Sequence, residues 1–481
     1  MSGTKDGPPI TVEQLAALPL EFQTLVRAIL DYYEGRITKL QAELARLRAE
    51  VIAPKQTPQN SSLPPSTQHP HARPKPQKPR SPKQRGGQPG HPKHERSLIP
   101  VDQCDDVQTL KPTECRRCSR KLSGCDPEPL RHQVWEVPEI RPHVTEYQQH
   151  RLSCPDCGES TCAELPPGVP SGQSGPRLVA LAGLLMACFR QSKRRTALFL
   201  ESILNQPCCP ALTVKMQAQV TAAVQPAYQE LVAQLATQEQ LYIDESPTHE
   251  HPHKAWLWAF IAAAFSVFAV RATRAATVLT EHLGASFRGL VNCDRAKMYW
   301  CVGRLQWCWA HLKRDFQALV DSEDGQVRRL GRDLMRPTRK LFSAWARYRD
   351  GTLTRIGFRR VMNPIRREIE SLLLRGVFSG NPRLIGMCEE LYNHRAWLWT
   401  FVEHEGVEPT NNAAERALRH GVIWRKLSFG TKSAGGSRFV ETMLSVIETC
   451  RQQERPVFDY LTTAVAALFA DQPAPSLLPR A

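Results

Sequence analysis

The chain has 481 residues, 41% of them hydrophobic, and a formal net charge of +16. It has room for several domains and a sizeable core, and its charge points to a polyanionic partner without specifying a fold. No apolar stretch follows Met1 as a secretory leader requires, the longest uncharged apolar run (residues 255–270) is shorter than the about 20 residues of a membrane helix, and 15 scattered cysteines fit a reducing compartment, not a disulfide scaffold. The expectation is a soluble, intracellular protein with no membrane segment.

Residues 1–53 carry a heptad seam. Val26, Leu30, Tyr33, Ile37, Leu40, Leu44, Leu47 and Val51 recur in alternating steps of four and three, with Glu, Lys and Arg on flanking positions, until Pro54. Such a seam either pairs chains as a coiled coil, giving a homodimer or higher oligomer, or packs one amphipathic helix on its own domain. Residues 54–98 hold eleven prolines, and nine Lys and Arg against one Glu. That composition does not bury enough apolar surface to order itself. The linker either tracks phosphates or is a solvated spacer.

Residues 99–165 form a small polar module with two knuckles, Cys115-Arg-Arg-Cys118 and Cys154-Pro-Asp-Cys157. Two residues between cysteines let both thiolates meet one tetrahedral Zn²⁺ at about 2.3 Å, and a second pair closes a structural site. The alternative is four unrelated thiols, and Cys104, Cys125 or Cys162 are near enough in sequence to replace a ligand. Residues 166–238 read as helical. Leu178, Leu181, Leu185 and Cys188 share a face, a second run covers 197–204, and Thr213 is placed to cap a third helix. With Lys193, Arg194 and Arg195 between the first two runs, this is either a helix-turn-helix DNA reader or a plain packing domain.

From residue 239 the pattern changes. Residues 240–244 and 289–294 read as short strands ending in acids, and 255–270 as two strands or a hairpin. Residues 312–400 return to helix, and 321–375 hold fourteen Arg and Lys against seven acids. Residues 412–427 and 438–452 are further helices. Strands followed by helices imply a mixed α/β core over 239–470, interrupted by a helical insertion at about 317–400, with 471–481 as a tail. The whole chain is thus multidomain, α/β plus α.

Three acids stand out in this core. Leu241-Tyr-Ile-Asp ends a strand on Asp244, Leu290-Val-Asn-Cys-Asp ends another on Asp294, and Thr410-Asn-Asn-Ala-Ala-Glu puts Glu415 near a helix start. Such a set of hard oxygen ligands can hold two Mg²⁺ ions about 4 Å apart, one activating a nucleophile and the other stabilising a leaving oxygen. Each also has a plain reading: a strand-end Asp starts a turn, and Glu415, three residues after Asn412, fits a capping box. Spacing alone does not prefer these acids to Glu245, Asp315 or Glu441. His249, His251 and His253 either ligate a transition metal or fill a hairpin turn. Arg416, Arg419, Arg425 and Lys426 either bring positive charge to a phosphate near Glu415 or line a solvated helix face.

The stretch Pro409-Thr-Asn-Asn-Ala-Ala-Glu-Arg-Ala-Leu-Arg, followed by Trp424-Arg-Lys-Leu-Ser-Phe-Gly-Thr, closely resembles the C-terminal signature of IS66-type insertion-sequence transposases. Cys308-Trp-Ala-His-Leu-Lys-Arg-Asp-Phe316 is similar to that family's Cys-Trp-Ala-His-x-Arg-Arg block, and Asp244-Glu-Ser to its Asp-Glu-Thr element. Arg85-Gly-Gly-Gln-Pro-Gly-His91, the paired knuckles and the heptad helix also fit, so the resemblance covers nearly the whole chain. It implies an RNase H-like core with a DDE triad of Asp244, Asp294 and Glu415 holding Mg²⁺ or Mn²⁺. It also implies DNA ends and target DNA as partners, companion proteins of the same element, and a bacterial, nucleoid-associated setting. His311, with Lys313 and Arg314, would lie near the active site and contact DNA, or be structural. The sequence departs from the family pattern in three places. Ser246 stands for Thr, and Thr410 precedes Asn411 where Asp is common. Arg-Ala-Lys-Met-Tyr follows Asp294 in place of a Gly-Tyr-x-x-Tyr run, keeping only its last aromatic, Tyr299. Two other readings remain open: a non-catalytic DNA-binding protein of transposase descent, and an RNase H-like nuclease that cuts without joining.

Overall fold

The computed structural model describes residues 16–52 and 96–479, without side chains for 44–52. Most of the proline-rich linker therefore lies outside the described residues, as do the side chains of the seam from Leu44 onward. Helix α1 (Leu20–Ile52) runs unbroken through the seam, and Leu30, Tyr33, Ile37 and Leu40 are all exposed.

Among the described residues, contacts define two units: a small one built from 96–145 with 201–206, and a large one holding the rest. Cys115 and Cys118 belong to the small unit, in a tight hairpin whose Cys115 N–H donates to the Arg120 carbonyl at 2.9 Å. Cys154 and Cys157 belong to the large unit. They sit in the turn between β1 (Arg151–Ser153) and β2 (Ser160–Cys162), which pair antiparallel.

The large unit is organised by a five-stranded sheet of β3 (Gln240–Glu250), β4 (His253–Ile261), β5 (Ser266–Arg271), β6 (Leu290–Cys293) and β7 (Leu305–Trp307). The strand order is β5-β4-β3-β6-β7. The first three are antiparallel, whereas β3, β6 and β7 run parallel. Residues 255–270 thus resolve into two strands, both arms rich in the aromatic and β-branched residues that suit a pleated, buried surface.

Strand β3 is longer than residues 240–244. Its parallel partner ends at Tyr242 opposite Asn292, but its antiparallel partner β4 continues to Glu250 opposite His253. Asp244 therefore lies within the strand, at the point where the parallel ladder stops. The sequence reading missed this because residues 245–250 are polar and owe their extended form to the β4 ladder. The His249–His253 tract forms the hairpin's far end.

Helices follow as α2 (Pro176–Ala187), α3 (Lys193–Leu204), α4 (Pro210–Ala233), α5 (Thr277–Leu283), α6 (Trp309–Val320), α7 (Gly325–Arg349), α8 (Arg355–Val377), α9 (Pro382–Asn393), α10 (Ala396–Glu403), α11 (Asn412–Ser428), α12 (Ala434–Gln452) and α13 (Val457–Phe469). Helices α2 and α4 pack with α13, and α4 also with α12, so these helices share a core with the C-terminal part of the chain. Helix α11 lies on the sheet face formed by Ala255, Leu257 and Ala259, its Ala414, Ala417 and Leu418 buried there. Gly421 is required at that contact, since a Cβ would fall 2.2 Å from Leu257 Cδ2.

Strand β5 is an edge, and its outward N–H groups are not left open. Those of Ser266, Phe268 and Val270 donate to Thr449 Oγ1 (3.0 Å), Ser445 Oγ (2.8 Å) and Glu441 Oε1 (2.5 Å) on α12. Four helical residues advance about 6 Å and two strand residues about 6.6 Å, so the two rows stay in step. Glu441 also binds Arg271 and Arg438 at 3.0 and 2.8 Å, and burial pushes its carboxyl up to about 7. This acid, which spacing alone does not rank below Asp294, closes a sheet edge. Thr449→Val keeps the shape but leaves a buried N–H without an acceptor, and Ser445→Ala does the same. Each is expected to lower stability by about 1–3 kcal/mol in urea titration of the full chain, whereas exposed Thr463→Val leaves the midpoint unchanged.

Candidate active site

The site forms where β3, the end of β6 and the starts of α6 and α11 meet. Alternation along β3 sends Tyr242, Asp244 and Ser246 to the α11 face and Glu245 to the other. Asp294 follows β6 directly, and its Oδ1 accepts the Ala296 N–H at 2.8 Å, so it does start a turn. Glu415 stands in the first turn of α11. The N-cap of that helix is Asn411, with no side-chain cap, so the capping-box reading of Glu415 does not hold. The reason is that the Asn411 side chain is engaged elsewhere, donating from Nδ2 to the Ile243 carbonyl at 2.7 Å.

The three acids act on one another electrostatically. Burial raises the Asp244 carboxyl well above the usual range, and the negative charges of Glu245, Asp294 and Glu415 push it further. Burial also raises Glu415, with Arg314 and Arg419 pulling back and Asp294 adding to the rise. Arg314 and His311 each approach Glu415 Oε1 at 3.6 Å. The imidazole is held down to about 4 by burial and by Arg314 and Arg295, so it is neutral near pH 7 and the contact is not an ion pair. Cys308 Sγ, a ring nitrogen of His311 and a Glu415 oxygen lie within 4.8 Å of one another. The Cys308 thiol is buried and pushed up to about 11, and it accepts the Asn411 N–H at 3.2 Å.

Residues that spacing alone did not select complete the site. Glu245, its side chain 1% exposed, pairs with Arg274 at 2.6 Å and accepts a hydrogen bond from Tyr299. Arg274 also reaches Asp294 Oδ2 at 3.6 Å. Tyr299 is the aromatic retained after Asp294, and Glu245 lies in the Asp244-Glu-Ser element; these were the sequence signals for this pocket. Asp315 forms a separate pair with Arg295 at 2.9 Å.

The basic residues divide. Arg314 and Arg419 act on Glu415, and Arg419 and Lys426 follow it on the same face of α11 at helical spacing. Arg416 and Lys426 are exposed. Arg425 instead turns inward to Ser246 Oγ (3.2 Å) and the Pro247 carbonyl, fastening α11 to β3. Lys313 lies over the Phe342 ring at 5.4 Å, away from the acids.

The side chains gathered here offer carboxylate oxygens, an imidazole nitrogen and a thiol to a bound cation. Arg274 offsets Glu245 and Arg314 faces Glu415, whereas the charges acting most strongly on Asp244 are three further carboxylates. His311 Nδ1, Asn411 Oδ1 and Glu415 Oε1 are buried without a hydrogen-bond partner among the described residues. Buried polar atoms in that state are ones that a bound ion or water would complete.

Residues 172–438 match the family described as "Transposase IS66 family", more than half of the chain. Residues 10–97 match a "Family of unknown function (DUF6444)". Over 273 residues the chain is 24% identical to the "Uncharacterized protein y4qI" of Sinorhizobium fredii (strain NBRC 101917 / NGR234), covering 49% of each chain. The chain thus spans about half the length of that curated relative.

Because Asp244, Glu245 and Glu415 have raised carboxyls, the folded state binds more protons than the unfolded one. Their contribution to stability falls as pH rises from about 4 through the raised values. Metal-free Asp244→Asn is therefore expected to melt above the native chain at pH 8, by about 2–4 °C per kcal/mol relieved. The gap closes as pH approaches 4, and Mg²⁺ raises the melting temperature of the native chain more than that of the variant. Thermal melts at several pH values, with and without Mg²⁺, measure this.

Proposed function

Because the chain belongs to the transposase IS66 family, we propose that it is an insertion-sequence transposase that cuts the ends of its element and joins them to target DNA. Asp244, Asp294 and Glu415 are the ligands of its divalent metal ions. The observation that carries this reading is the coupling of the Asp244 carboxyl to Asp294 and Glu415, which come from elements far apart in the chain. An RNase H-like core is supported by the sheet, three antiparallel strands followed by two parallel ones, with acids on the central strand, after its parallel neighbour and on a later helix.

Mg²⁺ or Mn²⁺ bound by these carboxylates supplies activation of the attacking oxygen and stabilisation of the leaving one. The protein does the rest by positioning. The turn at Ala296 fixes Asp294. Asn411 sets the start of α11 and with it Glu415. Arg274 and Tyr299 restrain Glu245 behind the site. Neutral His311 offers a hydrogen-bonding nitrogen beside Glu415, and Arg314 and Arg419 draw a phosphate toward it.

Zinc is the second part of the proposal. In each knuckle, backbone N–H groups and the partner thiol lower the first cysteine: Arg117 and Cys118 act on Cys115, and Cys157 and Asp156 on Cys154. Thiolate is the form that binds Zn²⁺. Each pair, Cys115 with Cys118 and Cys154 with Cys157, is read as a zinc-binding knuckle. The exposed seam of α1 pairs two chains, and companion proteins of the element assist.

Asp294→Asn and Glu415→Gln are expected to reduce strand cleavage by at least about 10²–10³-fold, since loss of a metal ligand removes several kcal/mol of transition-state stabilisation. DNA binding stays within a few-fold of native in gel-shift assays. Full cleavage by both variants overturns the triad. Cleavage without strand-transfer products points to the nuclease reading, and a native chain that binds DNA but never cuts points to the non-catalytic one. A strong chelator is expected to unfold 99–165 and leave the α/β core intact, read by limited proteolysis with metal analysis. A segment that resists protease in chelator excludes the zinc site.

A further inference from the structure

The large unit carries a second polar feature beyond the carboxylate site. An open groove of about 970 Å³ runs between the α2–α3 turn, the flank of α4 and the α11–α12 turn. Its cations are Arg190, Lys193, Arg194, Lys432 and Arg438, and no Asp or Glu is among the residues that line it. They come from the α2–α3 turn, the start of α3, the α11–α12 turn and the first part of α12. Arg190 is held by His420 Nδ1 at 2.7 Å and Arg438 by Glu441 at 2.8 Å, while Lys193, Arg194 and Lys432 are exposed. The α4 wall extends from Val214 to Gln225, about 17 Å of helix, and offers neutral side chains. The N-terminus of α12 adds its positive end to the same groove.

We propose that this groove holds the sugar–phosphate backbone of duplex DNA beside the carboxylate site. A row of cations with no acid fits an extended polyanion, because each phosphate contact releases a counterion and no carboxylate repels the strand. The neutral α4 wall accepts backbone without reading base edges. Its distance from the acids is set by one rigid element. Helix α11 carries Glu415 in its first turn and lines the groove at Leu427 and Ser428, about 20 Å further on, or about six base pairs at 3.4 Å each. The α11–α12 turn is pinned to the strand that bears Asp244, since Thr431 N–H donates to the His249 carbonyl and His251 N–H to the Thr431 carbonyl, both at 2.9 Å. Groove and acids thus form one frame. The inference rests on Glu415 belonging to the cutting centre.

The test uses the full chain with Asp294→Asn, so that binding is read without chemistry, and a 30-base-pair duplex of arbitrary sequence, since phosphate contacts are independent of sequence. Lys193→Ala/Arg194→Ala/Lys432→Ala is compared with the unaltered groove across a salt series. The expected result is affinity at least about tenfold lower at moderate salt, with the slope of log K against log salt shallower by about 3. Equal affinity and slope for the two overturn the groove, as they would if it holds a protein segment. That outcome leaves the cutting centre standing, because loss of cleavage in Asp294→Asn and Glu415→Gln is read separately. A chain that binds no duplex with either groove defeats both.

Discussion

One buried amide holds the site together. Asn411 is fully buried. Its side chain donates to the Ile243 carbonyl of β3, and its backbone N–H to the Cys308 sulfur at the head of α6. Its own carbonyl accepts the Glu415 N–H as α11 begins. Cys308 in turn donates from its backbone to the Cys293 carbonyl at the end of β6, and Trp309 N–H donates to the Pro409 carbonyl. Through these bonds the residues before Asp244 and Asp294, the helix bearing His311 and Arg314, and the helix bearing Glu415 share one fixed point. An amide of the type that caps helices serves a long-range tie instead, and the helix N-terminus goes without a side-chain cap.

That tie works against electrostatics. It gathers carboxylates in a partly buried space where burial and neighbouring charge raise Asp244 and Glu415, and an unliganded fold is less stable for it. The surroundings limit the penalty without removing it: Arg274 and Tyr299 restrain Glu245 from the opposite sheet face, and Arg314 and Arg419 oppose the charge on Glu415. Local rules broken at one place, inside a fold that obeys them elsewhere, are the usual mark of a working site.

Glu441 shows how a similar residue is used when the aim is stability. Its buried carboxylate accepts a strand N–H and binds two arginines, so one side chain completes an edge and ties α12 to β5. Ser445 and Thr449 continue the row. An exposed edge would be a template for pairing with other chains, and here a helix closes it with side chains instead of a further strand. The same helix contributes its N-terminus to the basic groove, so the closed edge also fixes that surface relative to the sheet.

Features carried by local periodicity were legible in the sequence: the heptad of α1, the two strands within 255–270, the helices of 312–400, and the helix that bears Glu415. These depend on side chains within a few turns of one another. Where a feature depended on a distant partner, the sequence was silent. Strand β3 outlasts its apolar stretch because β4 pairs with it. Glu245 and Arg274 meet across a sheet face, and Arg425 turns inward because Ser246 and Pro247 lie beneath it. Asp294 and Glu441 have equally ordinary neighbours in sequence. The family resemblance singled out Asp294, and the tertiary structure sets it beside Arg274 near the other carboxylates and Glu441 under two arginines at a sheet edge. The acids themselves were readable as chemistry from the sequence. Which of them face one another was decided by buried contacts spanning well over a hundred residues, and those leave no local mark on the chain.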